Sequence, residues 1–306
     1  MHHSALPPPE RRLAGIALRS GGTISFAFMA ALLKAASDRG VSTPEMIFYR
    51  NTGALPVVVT WILLGPGFGA VRTRRPLSHL TRSCVGLVSM FLTFGALALL
   101  PLGEATTLTY SAPLLATILS GLVLGEEIGP RRWAAVAIGF AGMLLVVQPG
   151  GGGHLPAAGL AVGVLAAIGQ AAVMITLRTI GRTEGTAAIV FWFTLGTASA
   201  GATILPIFGH AHDPLTYAIL FGAGLFGGAG QLGMTASLRF APVSVVVPFD
   251  YLQIVCAMLI GWVAFADAPV ASTIAGALLI AASGIYTAYR EGRRGKTADE
   301  AVGLVE

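Results

Sequence analysis

Ala96-Leu97-Ala98-Leu99-Leu100 opens a stretch, running to Val146, that the chain repeats in its second half. At an offset of 140 to 142 positions, Ala236-Ser237-Leu238-Arg239-Phe240 meets that opening, Asp250 meets Thr109, and Tyr251 meets Tyr110. Further on, Asp267 meets Glu126, and Gly276 and Gly284 meet Ala134 and Gly142. Working outward from this stretch, the apolar runs fall into two sets of five. An odd number of spans per half makes the second half enter a bilayer from the opposite side. That is the inverted repeat of a secondary transporter, with a substrate site between the halves near the midplane.

Composition sets the solvent. Of 306 residues, 55% are hydrophobic and 11% charged, where a soluble domain carries about a quarter charged residues. The apolar runs are too long and too frequent for two soluble domains. Cys84 and Cys256 lie inside apolar runs, read as small buried hydrophobes and not as a disulfide framework. The polar, proline-rich start and the stretch from Gly292 onward read as solvated, disordered tails.

Ten segments fit a bilayer core of about 30 Å: 13–35, 45–64, 80–100, 105–124, 131–148, 157–177, 186–206, 214–237, 241–264 and 269–289. Breakers separate them at Gly65-Pro66-Gly67, Gly129-Pro130, Pro149 with its glycine run, Asp213-Pro214 and Ala268-Pro269. With the N-terminus inside, sixteen lysines and arginines, Arg19 and Arg82 among them, count on the cytoplasmic side against Lys34 and Arg39 outside. The net charge of +5 is thereby a membrane-loop bias and not a nucleic-acid footprint. The expected fold is an all-α membrane protein of ten transmembrane helices in two five-helix inverted repeats. Tail 1–12 precedes repeat 13–148, extracytoplasmic linker 149–156, repeat 157–290 and tail 291–306. Both termini are expected in the cytoplasm of a bacterial-type inner membrane.

The segment Glu104-Ala105, Tyr110-Ser111-Ala112-Pro113-Leu114, Leu124-Gly125-Glu126-Glu127, Arg132-Trp133, Gly139-Phe140-Ala141-Gly142 and Gln148-Pro149 carries a more specific signal. So do Ala241-Pro242-Val243-Ser244, Pro248-Phe249-Asp250-Tyr251 and Asp267-Ala268-Pro269 in the second half, and Glu45 to Arg50 at the start of span two. These motifs resemble the EamA-type branch of the drug/metabolite transporter superfamily. One departure is Asp267, where the second copy usually carries glutamate. The resemblance implies ten spans in two five-span repeats and movement of small metabolites, often export of amino acids or related compounds.

Ionisable groups inside a span are costly and face the bundle interior or a water-filled cavity. Asp250 leads, about ten residues and so roughly 15 Å into span nine. Pro248 before it removes a donor and favours a bend with freed carbonyls, and Gln253 shares its face at i+3. Asp250 reads as a proton or solute group, or else as a neutral acid in a structural hydrogen bond. Arg50 in span two either offers its fork to a substrate carboxylate or snorkels to the outer interface. Its depth leaves open whether it pairs with Asp250.

Thr106, Thr109, Tyr110, Pro113, Thr117 and Ser120 form one polar face of span four, read either as pathway lining or as interhelical hydroxyl bonding. Tyr251 is the counterpart of Tyr110 in the second copy, and Trp192 is a deeper aromatic that could stack on a planar solute. Gln170 and Gln231 read as interhelical polar links. Trp61, Trp133 and Trp262 read as interfacial anchors, and Glu104, Glu126, Glu127 and Asp267 as capping or loop-paired acids. The glycines from Gly222 to Gly230 read as close-packing positions.

The leading expectation is a secondary active transporter moving a small metabolite by alternating access, driven by protons or exchange, with no cofactor. Its partners are a small-molecule solute and the lipid bilayer; the oligomeric state is open. A passive channel and an intramembrane enzyme are the alternatives. The enzyme would need a nucleophile and base or a metal cluster inside the spans, yet the histidines lie near loops and tails. His210, His212 and Asp213 form a short donor run, read as a solvated loop before a metal site.

Overall fold

The computed structural model describes residues 9–124, 129–148, 155–181, 183–241 and 243–302, whose regular structure is helix without strand. The helices are α1 (Pro9–Asp38), α2 (Thr43–Leu64), α3 (Pro76–Leu99), α4 (Leu102–Thr109), α5 (Ala112–Leu124) and α6 (Pro130–Val147). They continue as α7 (Ala157–Ile180), α8 (Thr186–Phe208), α9 (Pro214–Ser237), α10 (Val243–Val246), α11 (Leu252–Phe265) and α12 (Ala271–Val302). Helix occupies all ten apolar segments. Among the described residues, seven helices are long and apolar enough to cross a membrane, and 133–147 and 271–287 are shorter apolar helices. α12 runs to Val302, so most of the stretch expected as a disordered C-terminal tail is helical.

Local chemistry sets the helix starts. Pro76, Pro130 and Pro214 occupy first-turn positions, where a missing N–H costs nothing. Ser42 and Glu45 close a capping box on α2, and Asp213 caps α9 through the Thr216 amide at 3.0 Å.

Segments four and nine are interrupted midway. α4 gives way to α5 at Tyr110-Ser111, and α10 passes through a 3-10 turn, Val247–Tyr251, before α11 begins. Pro113 cannot donate to the carbonyl of Thr109, and Pro248 cannot donate to that of Ser244. The even polar face expected along span four is therefore split. Within it, the hydroxyls of Thr109 and Thr117 are spent on the Ala105 and Pro113 carbonyls.

The main packing pairs are α1 with α9, α3 with α7, α2 with α8 and α9, α6 with α12, α5 with α7, and α11 with α1 and α4. Numbering the ten segments in order, exchanging each with the one five places on carries these pairings into one another, except that α2 with α9 has only the lesser contact of α3 with α8 as its counterpart. Glycine permits the closest approach: a Cβ on Gly224 would lie 2.5 Å from the Cα of Gly53. Large apolar side chains such as Leu64, Phe91, Leu165, Val263 and Leu278 cover the outside, as does Cys84, which is exposed and not buried as expected. Trp133 and Trp262 are also exposed. Such a surface belongs in lipid.

Candidate functional site

The two interruptions meet. Tyr110 and Tyr251 sit edge to face with ring centres 5.7 Å apart, and the Tyr110 hydroxyl donates to Oε1 of Gln253 at 2.8 Å. Gly284 on α12 makes room for Tyr251, since a methyl group there would fall on its hydroxyl. Asp250, in the 3-10 turn beside Tyr251, accepts a two-pronged bond from Arg19 of α1, Nε to Oδ1 and Nη2 to Oδ2, each at 2.5 Å. The third guanidinium nitrogen of Arg19 donates to the Met234 carbonyl on α9 at 3.2 Å. The side chains of Arg19 and Asp250 are only 9% and 16% exposed. This is a charge-assisted fork in a largely dry setting.

Arg19 is the residue the sequence reading missed, because it was counted with the cytoplasmic loop charges. Arg82, counted the same way, is buried in α3 with its guanidinium 4.1 Å from the centre of the Phe193 ring. Removing both from the sixteen expected on the cytoplasmic side leaves fourteen there against two. Arg50 is buried as well and does not pair with Asp250; it donates to Oδ1 of Asn51 at 2.8 Å. That excludes snorkelling to the outer interface.

Asp250, Tyr110, Tyr251 and Gln253 thus form one group, joined by Arg19. Thr109 ends α4 beside it, its hydroxyl already engaged. Trp192 belongs elsewhere: its indole N–H donates to the Val71 carbonyl at 2.9 Å, beside His79, on the wall of a pocket of about 300 Å³ lined by Pro76, Ser83 and Gly196. Gln170 accepts from Ser89 at 2.9 Å, linking α7 to α3 as expected. Glu104 is buried and accepts from Thr273 at 3.1 Å, an interhelical bond in place of the expected loop arginine. Glu126 and Glu127 lie outside the described residues.

Two histidine–carboxylate pairs close opposite ends of α2. At its start, Glu45 is fully buried and accepts from His212 Nε2 and from the His210 amide, both at 2.8 Å. Past its other end, His79 Nε2 lies 3.3 Å from Glu184, which also accepts from the Arg74 amide at 3.2 Å. His212 is therefore packed, and not part of the solvated loop expected from its sequence. Asp213 caps α9, and the described residues hold no cluster of three metal ligands.

Residues 13–148 match the EamA-like transporter family. A riboflavin transporter of Rhizobium johnstonii is 32% identical over 228 residues, 74% of this chain and 75% of the relative. A pseudopaline exporter of Pseudomonas aeruginosa is 26% identical over 87% of this chain and 93% of its own. An S-adenosylmethionine uptake transporter of Rickettsia prowazekii is 24% identical over 80% and 81%. One crystal structure superposes with a TM-score of 0.62 at 24% identity, covering 91% of this chain and 98% of the other, a likeness of fold alone.

Proposed function

The chain belongs to the EamA-like transporter family, and from that premise we propose that it moves a small organic metabolite across a bacterial inner membrane by alternating access. The two five-helix halves, 13–148 and 157–290, act as an inverted repeat with both termini in the cytoplasm. Amino acids or related organic solutes are the proposed cargo, with the direction of transport left open. The named cargoes of the relatives, riboflavin, pseudopaline and S-adenosylmethionine, are likewise small organic molecules.

The observation that carries this reading is the meeting of two interrupted helices at Tyr110 and Tyr251, with the Arg19–Asp250 pair beside them. Broken helices at matching places in two halves are where transporters of this general design form their sites, because freed backbone and polar side chains then line a cavity. Tyr110, Tyr251 and Gln253 supply a hydrogen-bonding aromatic wall. Asp250 supplies a carboxylate whose protonation would dissolve its bond to Arg19, coupling proton movement to rearrangement of α1 against α11.

Transport by Asp250→Asn in proteoliposomes under an imposed pH gradient tests this directly. We expect counterflow exchange of bound solute to persist while acceleration by the gradient is lost. A rate and pH dependence equal to wild type would remove Asp250 from the coupling step.

A further inference from the structure

Arg50 and Arg82 are buried cations that the Asp250 centre leaves unused. Each exposes only 5% of its surface. Arg50 gives one N–H to Asn51, but its Nε has no acceptor, and neither Nε nor Nη1 of Arg82 has one. Among the described residues no carboxylate pairs with either. Arg50 lies on α2 and Arg82 on α3, helices that contact one another.

Two like charges with unsatisfied donors in a helix bundle are expensive to maintain. The aromatic face of Phe193 offsets part of the cost on Arg82. Glycines of the surrounding helices lie close to both guanidinium groups. A Cβ at Gly227 of α9 would sit 3.0 Å from Nε of Arg50, and one at Gly86 would collide with Nη1 of Arg82 and with Phe193.

We propose that Arg50 and Arg82 form an oxyanion site that takes the carboxylate or phosphate of the transported solute, which makes the cargo an organic acid, an amino acid or a phosphate ester. A guanidinium fork matches either group, and a planar oxyanion between two forks would satisfy the donors left open here. The identification of the anion as cargo rests on the transport reading; the site itself does not.

The test is binding, measured without transport. Purified protein in nanodiscs of zwitterionic phosphatidylcholine is unfolded thermally in the presence of benzoate, inorganic phosphate, or benzamide as the neutral counterpart of benzoate. Benzoate or phosphate should raise the melting temperature by mass action while benzamide does not. Arg50→Gln and Arg82→Gln should each weaken the anion's apparent affinity by about tenfold or more, without lowering the stability of the anion-free protein, since each removes an unpaired buried charge. Should a glutamine variant fail to fold, Arg82→Lys keeps the charge without the fork and should bind with intermediate affinity.

Equal shifts with benzoate, phosphate and benzamide, or an anion response unchanged in the variants, would overturn the proposal. So would a response reproduced by phosphatidylglycerol in the disc alone, which would assign the site to a lipid headgroup. Absence of anion binding by the unmutated protein alongside intact Asp250-dependent transport would sink this site and leave the transport reading standing.

Discussion

The Arg19–Asp250 pair joins residues 231 positions apart in one buried fork, and its energetics are asymmetric. Removing one partner strands the other charge, which for a buried pair costs about 3–5 kcal/mol, whereas replacing both is often close to neutral. Asp250→Asn should therefore lower the melting temperature clearly, and Arg19→Gln combined with Asp250→Asn should restore most of it, as read by thermal unfolding in detergent. If the double variant is no more stable than the single ones, the pair is not the coupled unit described here. Asp250 was legible in the sequence because an acid ten residues into an apolar run has no cheap explanation. Arg19 was not, because an arginine within two turns of a span's end can also snorkel, and only the partner in the 3-10 turn before α11 separates the two cases. Arg82 misled for the same reason.

Interruption of segments four and nine shows how element-scale symmetry arises from unlike sequence. Tyr110 and Tyr251 align in the two copies, but Pro113 follows its tyrosine by three residues while Pro248 precedes its own by three. Each proline withdraws one helical bond, the two on opposite sides of the aligned tyrosines. The bend at Pro248 was readable in advance. The break in segment four was obscured because its polar residues keep helical spacing straight across Pro113, so the periodicity describes a continuous helix that the chain does not form. Pro248→Ala and Pro113→Ala should let the interrupted segments straighten, gaining up to about 3 kcal/mol while drawing the tyrosines out of contact. The expected signature is a higher melting temperature with counterflow exchange about tenfold slower, the usual exchange of activity for stability at a strained site. Faster or unchanged exchange would show that the breaks are incidental to transport.

At the scale of the whole molecule, the Glu45–His212 and His79–Glu184 pairs each tie the first half of the chain to the second, at opposite ends of α2, and both are formed together. Under the proposed alternating access one end opens while the other stays shut; the pairs would then serve as latches, and weakening one should bias the molecule toward opening at that face. The sequence could not reveal them, since each unites the start of a helix with a loop more than a hundred residues away. Glu184 lies in a loop outside the spans. Burial pushes its pKa up, but bonds from His79, the Arg74 amide and Thr73 outweigh this and hold it below the ordinary value. A carboxylate depressed in this way stabilises its contact above the unfolded value, about 4.3 for glutamate, and loses that contribution only as pH falls through the lower folded value. The Glu184 latch should therefore stay shut from pH 8 down to pH 5. Spin labels at Arg72 and Gly185, with a second pair at Gly40 and Ala211, would report the two faces by pulsed dipolar spectroscopy. Glu184→Gln should lengthen the first distance and leave the second short, and Glu45→Gln should do the reverse; both distances lengthening together in either variant would mean that the pairs hold the fold and do not gate it.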